Sequence, residues 1–179
     1  MKSAFAVIAI LVAASSHAQQ FTVYATGGKS MTSYHGQADV QSINLEWSAR
    51  RWKNTDAGFV IGSELLWQPT SWFGGRDHSP YEKVRGLATS LVVRHYLQSH
   101  PSWYGEISSG PMWSAREVPA GTSQFNFLSQ GGFGAIVGSR WQTPVMIGVR
   151  FAHISNAGLA RHNPGMNFTA AVMGLRFRP

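Results

Sequence analysis

Strict alternation of bulky apolar residues with small or polar ones most limits how this 179-residue chain can fold. In the segment 143–155, one face carries Val145, Ile147, Val149 and Phe151. The opposite face includes Gly148 and Arg150. A period of two residues is typical of β-strands, whose successive side chains point to opposite faces. The same period recurs in eight segments: 21–31, 40–49, 57–67, 83–96, 102–114, 123–138, 143–155 and 166–177. The chain is therefore predicted to be all-β.

Two all-β folds can carry this alternation. A secreted sandwich turns its apolar faces inward, whereas a transmembrane barrel turns them to lipid and fills its interior with small and polar side chains. The less apolar faces here carry isolated charges that could pair inside a narrow barrel: Glu46, Glu64, Arg150 and Arg176. Tryptophan and tyrosine near the segment ends suit membrane interfaces. The pattern favours an eight-stranded antiparallel transmembrane β-barrel over the sandwich.

The N-terminus predicts export. Lys2 precedes the apolar run 4–14, and Ser16-His17-Ala18 then supplies a small-x-small cleavage site. We interpret residues 1–18 as a signal peptide and 19–179 as a barrel domain in the outer membrane of a Gram-negative cell. The formal net charge of +7 would suit nucleic acid, but export argues against that partner. The absence of cysteine excludes disulfides, cysteine-ligated metals and thiol catalysis.

Connection lengths predict the orientation in the membrane. With periplasmic termini, the longer connections lie outside the cell, near 32–39, 68–82, 115–122 and 156–165. The shorter turns lie in the periplasm, near 50–56, 97–101 and 139–142. The seventh strand would then end at the outer leaflet. The role of the long outer loop at 68–82 stays open.

A polar pair stands at the end of that seventh strand. His153 and Ser155 are two residues apart, which places them on the same lipid-facing side as Phe151. Histidine beside a serine hydroxyl is the minimum for an activated oxygen nucleophile, and the amide of Asn156 could stabilise an oxyanion. The pattern is short, however, and from the residues alone an ordinary strand end with its turn explains it better.

A longer motif surrounds this pair. The string from Phe151 to Asn167 contains His153-x-Ser155-Asn156-Ala157-Gly158, followed by Asn163-Pro164-Gly165. It closely resembles the C-terminal signature of the PagL-type lipid A 3-O-deacylases. The resemblance implies an eight-stranded outer-membrane barrel that hydrolyses the ester bond of the acyl chain at the 3-position of lipid A. It implies no cofactor and no metal site.

The resemblance also implies roles for individual residues. Ser155 would be the nucleophile and His153 its general base. Asn156, with backbone N–H groups around Gly158, would form the oxyanion hole. The implied partners are lipid A or lipopolysaccharide in the outer leaflet and the surrounding membrane lipids. A homodimer is left open.

The chain departs from the family at one position. Members carry a glutamate about fourteen residues after the catalytic histidine, where it orients the imidazole, but Asn167 stands at that place here. No acidic residue follows Glu117. Asparagine can accept a hydrogen bond, yet it cannot stabilise an imidazolium as a carboxylate does. Three outcomes stay open: a working Ser-His-Asn site, an enzyme that is slow or inactive, or a site in which Glu117 from another outer loop takes the place of the missing glutamate.

Two further functions stay open as well. One is a different lipid esterase, such as a phospholipase, on the same barrel. The other is a non-enzymatic barrel used for adhesion or envelope structure, which the missing carboxylate at position 167 favours. Arg161 and His162 lie in the loop beside the pair. They could engage phosphates of lipid A, although a solvated loop explains them too.

Overall fold

The computed structural model describes residues 20–31, 37–70 and 81–177. All eight predicted strands are present: β1 (Gln20–Ser30), β2 (Asp39–Trp52), β3 (Thr55–Pro69), β4 (Tyr81–Tyr96), β5 (Trp103–Ser114), β6 (Phe125–Val137), β7 (Val145–Ser155) and β8 (Met166–Phe177). The described residues include no helix long and apolar enough to cross a membrane. The predicted signal peptide lies outside the described residues, as do parts of the predicted loops 32–39 and 68–82.

The strands form one closed antiparallel barrel. Each strand pairs with its neighbours in the sequence, and β1 closes the barrel by pairing with β8 from Phe21↔Phe177 to Ser30↔Phe168. Closure leaves no unpaired strand edge. Hydrocarbon offers no water to satisfy free backbone groups, so closure is also the condition for a sheet to cross a membrane. The predicted eight-stranded barrel is confirmed, and no sandwich forms.

Along most of each strand, odd-numbered residues face outward and even-numbered ones face inward; the alternation shifts in β2 at the bulge between Ser48 and Arg50. In β3, Phe59 and Ile61 are 39% and 47% exposed, whereas Val60 between them is 6% exposed. We call the outward-facing residues the outer wall. Its apolar members include Val23, Ile43, Leu45, Leu87, Leu91, Ile107, Phe133, Ile147, Phe151 and Met173. A sandwich would bury such residues between its sheets, whereas a lipid bilayer solvates them on a barrel.

The barrel interior is filled rather than open. One cluster of buried apolar residues includes Leu66, Val84, Met112, Ile154, Met166 and Phe168. A second cluster includes Tyr24, Val60, Val92, Tyr96, Tyr104 and Met146. Both sets come from even-numbered positions on several strands, so the strand alternation itself directs them inward. The side chains pack the interior as a core, which leaves the outer wall as the surface that lipid can reach.

Buried charges form an ion-pair network within this core. Arg94 donates to both oxygens of Glu46 over 2.7 and 2.8 Å, and to Glu106 over 2.7 and 2.9 Å. Arg150 donates to the second oxygen of Glu106 over 2.5 Å. Glu46 and Arg150 are therefore both engaged in ion pairs inside the barrel, Glu46 with Arg94 and Arg150 with Glu106. The other two expected members, Glu64 and Arg176, form no ion pair within the described part of the chain.

The connections differ in length between the two ends of the barrel. The longer ones, at 31–38, 70–80, 115–124 and 156–165, all follow odd-numbered strands. The turns at 53–54, 97–102 and 138–144 follow even-numbered strands. The predicted turn at 50–56 is wrong in extent, because β2 continues to Trp52 and β3 resumes at Thr55. The loop at 115–124 also enters the barrel mouth, where Val118 is fully buried.

Candidate active site

His153 and Ser155 lie together on the outer wall, near the end of β7 that leads into the loop 156–165. The His153 side chain is exposed and Ser155 is half-buried. Ile154 between them points inward and is only 2% exposed. Strand alternation thus presents both polar side chains to the lipid side of the barrel, as their spacing in the sequence predicts.

Strand pairing brings Asn167 to the imidazole. His153 and Asn167 are direct partners across the β7–β8 ladder, and His153 Nδ1 lies 2.7 Å from Asn167 Oδ1. A carbonyl oxygen only accepts hydrogen bonds, so Nδ1 must donate. The neutral ring then has no hydrogen on Nε2, which is the tautomer that can take up a proton at that nitrogen. Asn167 therefore sets both the orientation and the tautomer of the imidazole.

Ser155 is close to His153 in sequence but is not bonded to it. Within the described residues, Ser155 Oγ has no hydrogen-bond partner. Two residues along a strand separate the Cα atoms by about 6.6 Å, a gap that the two side chains can bridge by rotating. Catalytic hydrogen bonds are often long before substrate binds and tighten in the complex. The arrangement therefore places a hydroxyl and an imidazole on one face, without a preformed bond between them.

The loop before β8 packs against the imidazole through Gly165. This residue has a φ of +68°, and a Cβ built there would lie 2.7 Å from His153 Cε1. Only glycine combines this backbone conformation with so close an approach. The Asn-Pro-Gly string in the sequence indicates a turn, but it does not show that the turn touches His153. That contact depends on the pairing of β7 with β8.

Asn156 faces the barrel interior instead of the outer wall. It is 1% exposed. Its Nδ2 donates to the carbonyl oxygen of His162 over 2.7 Å, and its Oδ1 accepts from the N–H of Gly158 over 2.9 Å. Its own N–H donates to Asn163 Oδ1 over 3.0 Å. The side chain of Asn156 points inward because it directly follows the outward-facing Ser155. The donors of Asn156 and Gly158 that the sequence suggested for an oxyanion therefore form hydrogen bonds within the loop instead.

A tight turn follows Asn156. Ala157 and Gly158 have φ values of 52° and 78°, and the N–H of Leu159 donates to the carbonyl of Asn156 over 3.0 Å. Two left-handed residues closed by this bond are typical of a type I′ turn. Among the described residues, the N–H of Ala157 has no acceptor, whereas those of Asn156, Gly158 and Leu159 each have one. Ala157 is not glycine, so its conformation is strained.

The remaining candidate residues lie in exposed loops. Arg161 and His162 are exposed in the loop that Asn156 holds. Glu117 is exposed in the loop at 115–124, and its carbonyl oxygen accepts a bond from Gln68 of β3 over 2.7 Å. The hydrogen bond at His153 Nδ1 is made by Asn167, not by Glu117. The described residues contain no group of three histidine or acidic side chains that could hold a metal ion.

A groove of about 610 Å³ runs along the outer wall beside His153. Its outward-facing lining consists of Met31, Ser129, Gly131, Phe151, His153 and Asn167. At Gly131 the wall is open, since a Cβ there would meet only one backbone oxygen, at 4.0 Å. Sequence reasoning missed Ser129 and Gly131, because their closeness to His153 depends on the register between β6 and β7. The groove leads from His153 and Asn167 onto the apolar side chains of Phe151 and Met31.

Solved structures identify the type of barrel. The crystal structure of the outer membrane enzyme PagL has a TM-score of 0.58 and 16% identity, covering 87% of this chain and 98% of that one. The crystal structure of Neisserial surface protein A has a TM-score of 0.52 and 11% identity, covering 90% and 97%. The fold is thus that of the outer-membrane β-barrels. A search of curated protein sequences finds no match.

The sequence also matches a family model. The model described as lipid A 3-O-deacylase (PagL) matches residues 32–176. This range contains β2 to β7 and almost all of β8, and therefore the pair on β7 with its partner Asn167. The chain belongs to the PagL family of lipid A 3-O-deacylases.

Proposed function

We propose that this chain hydrolyses the ester bond of the 3-linked acyl chain of lipid A in the outer leaflet. The observation that carries the proposal is the 2.7 Å bond between His153 Nδ1 and Asn167 Oδ1, made on the outer wall beside Ser155. Polar groups facing lipid are costly unless they have a use. A lipid substrate would explain why an oriented imidazole and a hydroxyl face the membrane, because both groups could then reach its ester bond. Membership of the family supports that substrate class.

The reaction begins with proton transfer from Ser155 to His153. Nδ1 of the ring is bonded to Asn167, so Nε2 accepts the hydroxyl proton as Ser155 Oγ attacks the ester carbonyl. The tetrahedral intermediate then collapses, and the imidazolium returns its proton to the departing sugar oxygen. Water, deprotonated by the same nitrogen, cleaves the acyl-enzyme in a second attack. The products are a fatty acid and a free 3-hydroxyl, with Ser155 and His153 restored.

The negative charge on the intermediate needs a donor on the same side as Ser155. The N–H of Ala157 is two residues from the nucleophile and has no acceptor among the described residues. We assign it to the oxyanion. Asn156 and Gly158 support that N–H indirectly, since their mutual bond and the bond to Asn163 fix the turn. A backbone donor held in place before the reaction stabilises the charge without reorganising. Arg161 in the same loop would meet a phosphate of lipid A.

Asn167→Glu is expected to raise kcat about 10-fold. Asn167 orients the ring but carries no charge, whereas a carboxylate bonded to imidazolium contributes about 1–1.5 kcal/mol more than an amide does. Initial rates with lipid A in mixed micelles measure the change. Thr169→Glu, which adds a carboxylate two residues further along the outward face of β8, is the control and leaves kcat unchanged. Equal changes in both variants would show that Asn167 does not act through His153.

Gly165→Ala is expected to lower kcat about 10- to 100-fold. The new Cβ would collide with the imidazole, and displacement of a catalytic group by about 1 Å can cost 10²-fold. Gly121→Ala is the matched control, because Gly121 also has a positive φ, of 82°, but lies in the loop at 115–124. Both variants should lose thermal stability. A loss of activity that is equal in the two would assign the effect to general instability.

Mass spectrometry of lipid A tests the proposed function. The protein is expressed in the outer membrane of a bacterium whose lipid A retains its 3-linked acyl chain. Lipid A should lose the mass of that one chain. Phospholipids from the same cells are analysed in parallel, since release of fatty acid from them alone would identify a phospholipase instead. No change in either lipid, with the barrel folded in the membrane, would point to a non-catalytic barrel.

A further inference from the structure

A second groove runs along the outer wall on β1, β2 and β3, on a different part of the barrel from Ser155. Its volume is about 630 Å³. At Gly27 the wall is open, because a Cβ built there would have no atom within 4 Å. The outward-facing lining is mostly apolar and includes Ala25, Ile43, Leu65 and Met173, with Gln41 and Ser63 as polar members. We call this recess, which has room for hydrocarbon, the β1–β3 groove.

The β1–β3 groove leads into a charged part of the wall. A further recess of about 650 Å³ adjoins it at Gly27. Strand pairing sets one row of outward side chains there, across β1 to β4: Lys29, Asp39, Trp67 and Lys83. All four lie within two residues of the strand ends that lead into the longer connections. In outer-membrane barrels that end faces the cell exterior, so the row lies at the level of the outer-leaflet headgroups.

The row and its surroundings carry an excess of positive charge. Lys29 and Lys83 are exposed, and so is Arg85, the next outward residue on β4. None of these three cations forms an ion pair within the described part of the chain. Asp39 supplies the one negative charge of the row. Lys83 Nζ lies 5.3 Å from the centroid of the Trp67 ring, an aromatic of the kind that lies at membrane interfaces. We call Lys29, Lys83 and Arg85 the cationic rim.

We infer that the cationic rim and the β1–β3 groove bind a lipopolysaccharide molecule of the outer leaflet that is not the substrate. Phosphate oxygens form charge-assisted hydrogen bonds with lysine and arginine, and basic clusters at a membrane surface attract anionic headgroups. The acyl chains of the same molecule extend from the rim into the groove, where they contact apolar side chains. Headgroup and chains thus meet complementary surfaces in the order in which a lipid presents them.

The spacing of the cations favours lipopolysaccharide over a glycerophospholipid. Lys29 on β1 and Lys83 on β4 lie three strands apart in the row. At about 4.8 Å for each strand, their Cα atoms are about 14 Å apart along the wall. Lipid A carries phosphates at both ends of its disaccharide, so one molecule can meet both cations. A glycerophospholipid has a single phosphodiester and can meet only one of them.

The position of the groove separates this lipid from the substrate. Eight strands divide the full turn of the barrel, so each strand turns the wall by about 45°. The centre of the groove, on β2, is three strands from β7 and therefore about 135° around the barrel from Ser155. Acyl chains of one lipid extend side by side into the leaflet and do not wrap around a barrel. The lipid in the groove is thus a separate molecule, and the inference does not depend on hydrolysis at Ser155.

Native mass spectrometry counts the bound lipids. Protein carrying Ser155→Ala, which leaves lipid A intact, is titrated in detergent with lipid A that has both phosphates. Adding Gly27→Leu should leave one lipid fewer on each barrel, because the leucine side chain fills the groove while its Cβ meets no atom. Gly105→Leu is the matched control. Gly105 is an exposed glycine of β5 whose Cβ would meet one backbone oxygen at 3.9 Å, so this variant should retain as many lipids as the parent.

Charge variants test the headgroup contact without altering the groove. Glutamine at Lys29, Lys83 and Arg85 together should raise the Kd of this lipid about 10- to 30-fold, since each exposed cation contributes about 2- to 3-fold. Lys53→Gln, at an exposed lysine in the turn between β2 and β3, should leave the Kd unchanged because that turn lies at the opposite end of the barrel. Lipid A that lacks one phosphate should bind about 2- to 3-fold more weakly.

Three results would overturn the site. Equal lipid counts for the parent and Gly27→Leu would show that the groove holds no lipid. Phosphatidylglycerol that binds the rim as tightly as lipid A would show that any anionic lipid suffices. Gly27→Leu with Ser155 intact should hydrolyse lipid A at the parent rate; a rate that falls, but does not fall in Gly105→Leu, would place the substrate itself in the groove. If no variant hydrolyses lipid A, the deacylase function fails, and the lipid counts alone decide this site.

Discussion

Ser155→Ala is expected to abolish deacylation of lipid A, with kcat/KM lowered by at least about 10³-fold. The alanine variant keeps the fold and the groove but has no oxygen to attack the ester. His153→Ala should lose as much, because the hydroxyl then has no proton acceptor. Groups that act as a unit are not additive, so the double variant should be no worse than either single one. Lipid A mass spectra and initial rates in micelles both report the loss.

Two outward-facing residues elsewhere provide the matched controls. Ser63→Ala removes a serine hydroxyl from β3, and His95→Ala removes an imidazole from β4, where it is bonded to Thr55 over 2.9 Å. Neither residue lies beside the groove at His153. Both control variants should retain the parent activity. Retention of more than about a tenth of the activity by Ser155→Ala would contradict the assignment of the nucleophile.

Arg94→Met is expected to destabilise the barrel by about 3–5 kcal/mol. Arg94 is 1% exposed and makes four hydrogen bonds to Glu46 and Glu106. Removing one partner of a buried ion pair leaves the opposite charges uncompensated, which costs several kcal/mol even where the intact pair contributes little. Urea unfolding in detergent micelles, followed by tryptophan fluorescence, measures the free energy of unfolding.

A second variant distinguishes lost charge balance from lost packing. Combining Arg94→Met with Glu46→Gln removes the carboxylate that Arg94 alone pairs with, while Glu106 keeps its bond to Arg150. The double variant should regain a substantial part of the stability. Arg116→Met, at an exposed arginine, should change the stability by less than about 0.5 kcal/mol. No recovery in the double variant would assign the loss to packing around Arg94 instead.

The strands could be predicted from the sequence because the need for an apolar outward face produces the same alternation along every strand. A closed barrel in lipid places mostly apolar side chains at its outward-facing positions, so the alternation at Phe59 and Ile61 identifies β3 without reference to other strands. The ends of the strands were harder. Arg51 and Asp56 resemble turn residues, yet they continue the β2–β3 ladder and pair with each other over 2.6 and 2.9 Å. That pairing depends on the register, which charge alone does not indicate.

The site was predictable only where it is local in sequence. His153 and Ser155 share a face because they are two positions apart on a strand, and this spacing alone is enough to show it. The hydrogen bonds of Asn156 could not be predicted from spacing along the strand, because its partners His162 and Gly158 are brought to it by the path of the loop. Ser129 and Gly131 lie beside His153 only through the pairing of β6 with β7. Cross-strand register is a property of the folded barrel.

Because the site opens sideways from the barrel wall, the substrate concentration that matters is the one within the membrane. His153 and the groove beside it open from the outer wall into the leaflet, while the barrel interior is closed by packed side chains. In the proposed reaction, substrate molecules therefore arrive by diffusing within the membrane plane, without passing through water. Occupancy of the site would then depend on the number of lipid molecules per unit area around the barrel, so that the lipid composition of the membrane would set the reaction rate directly.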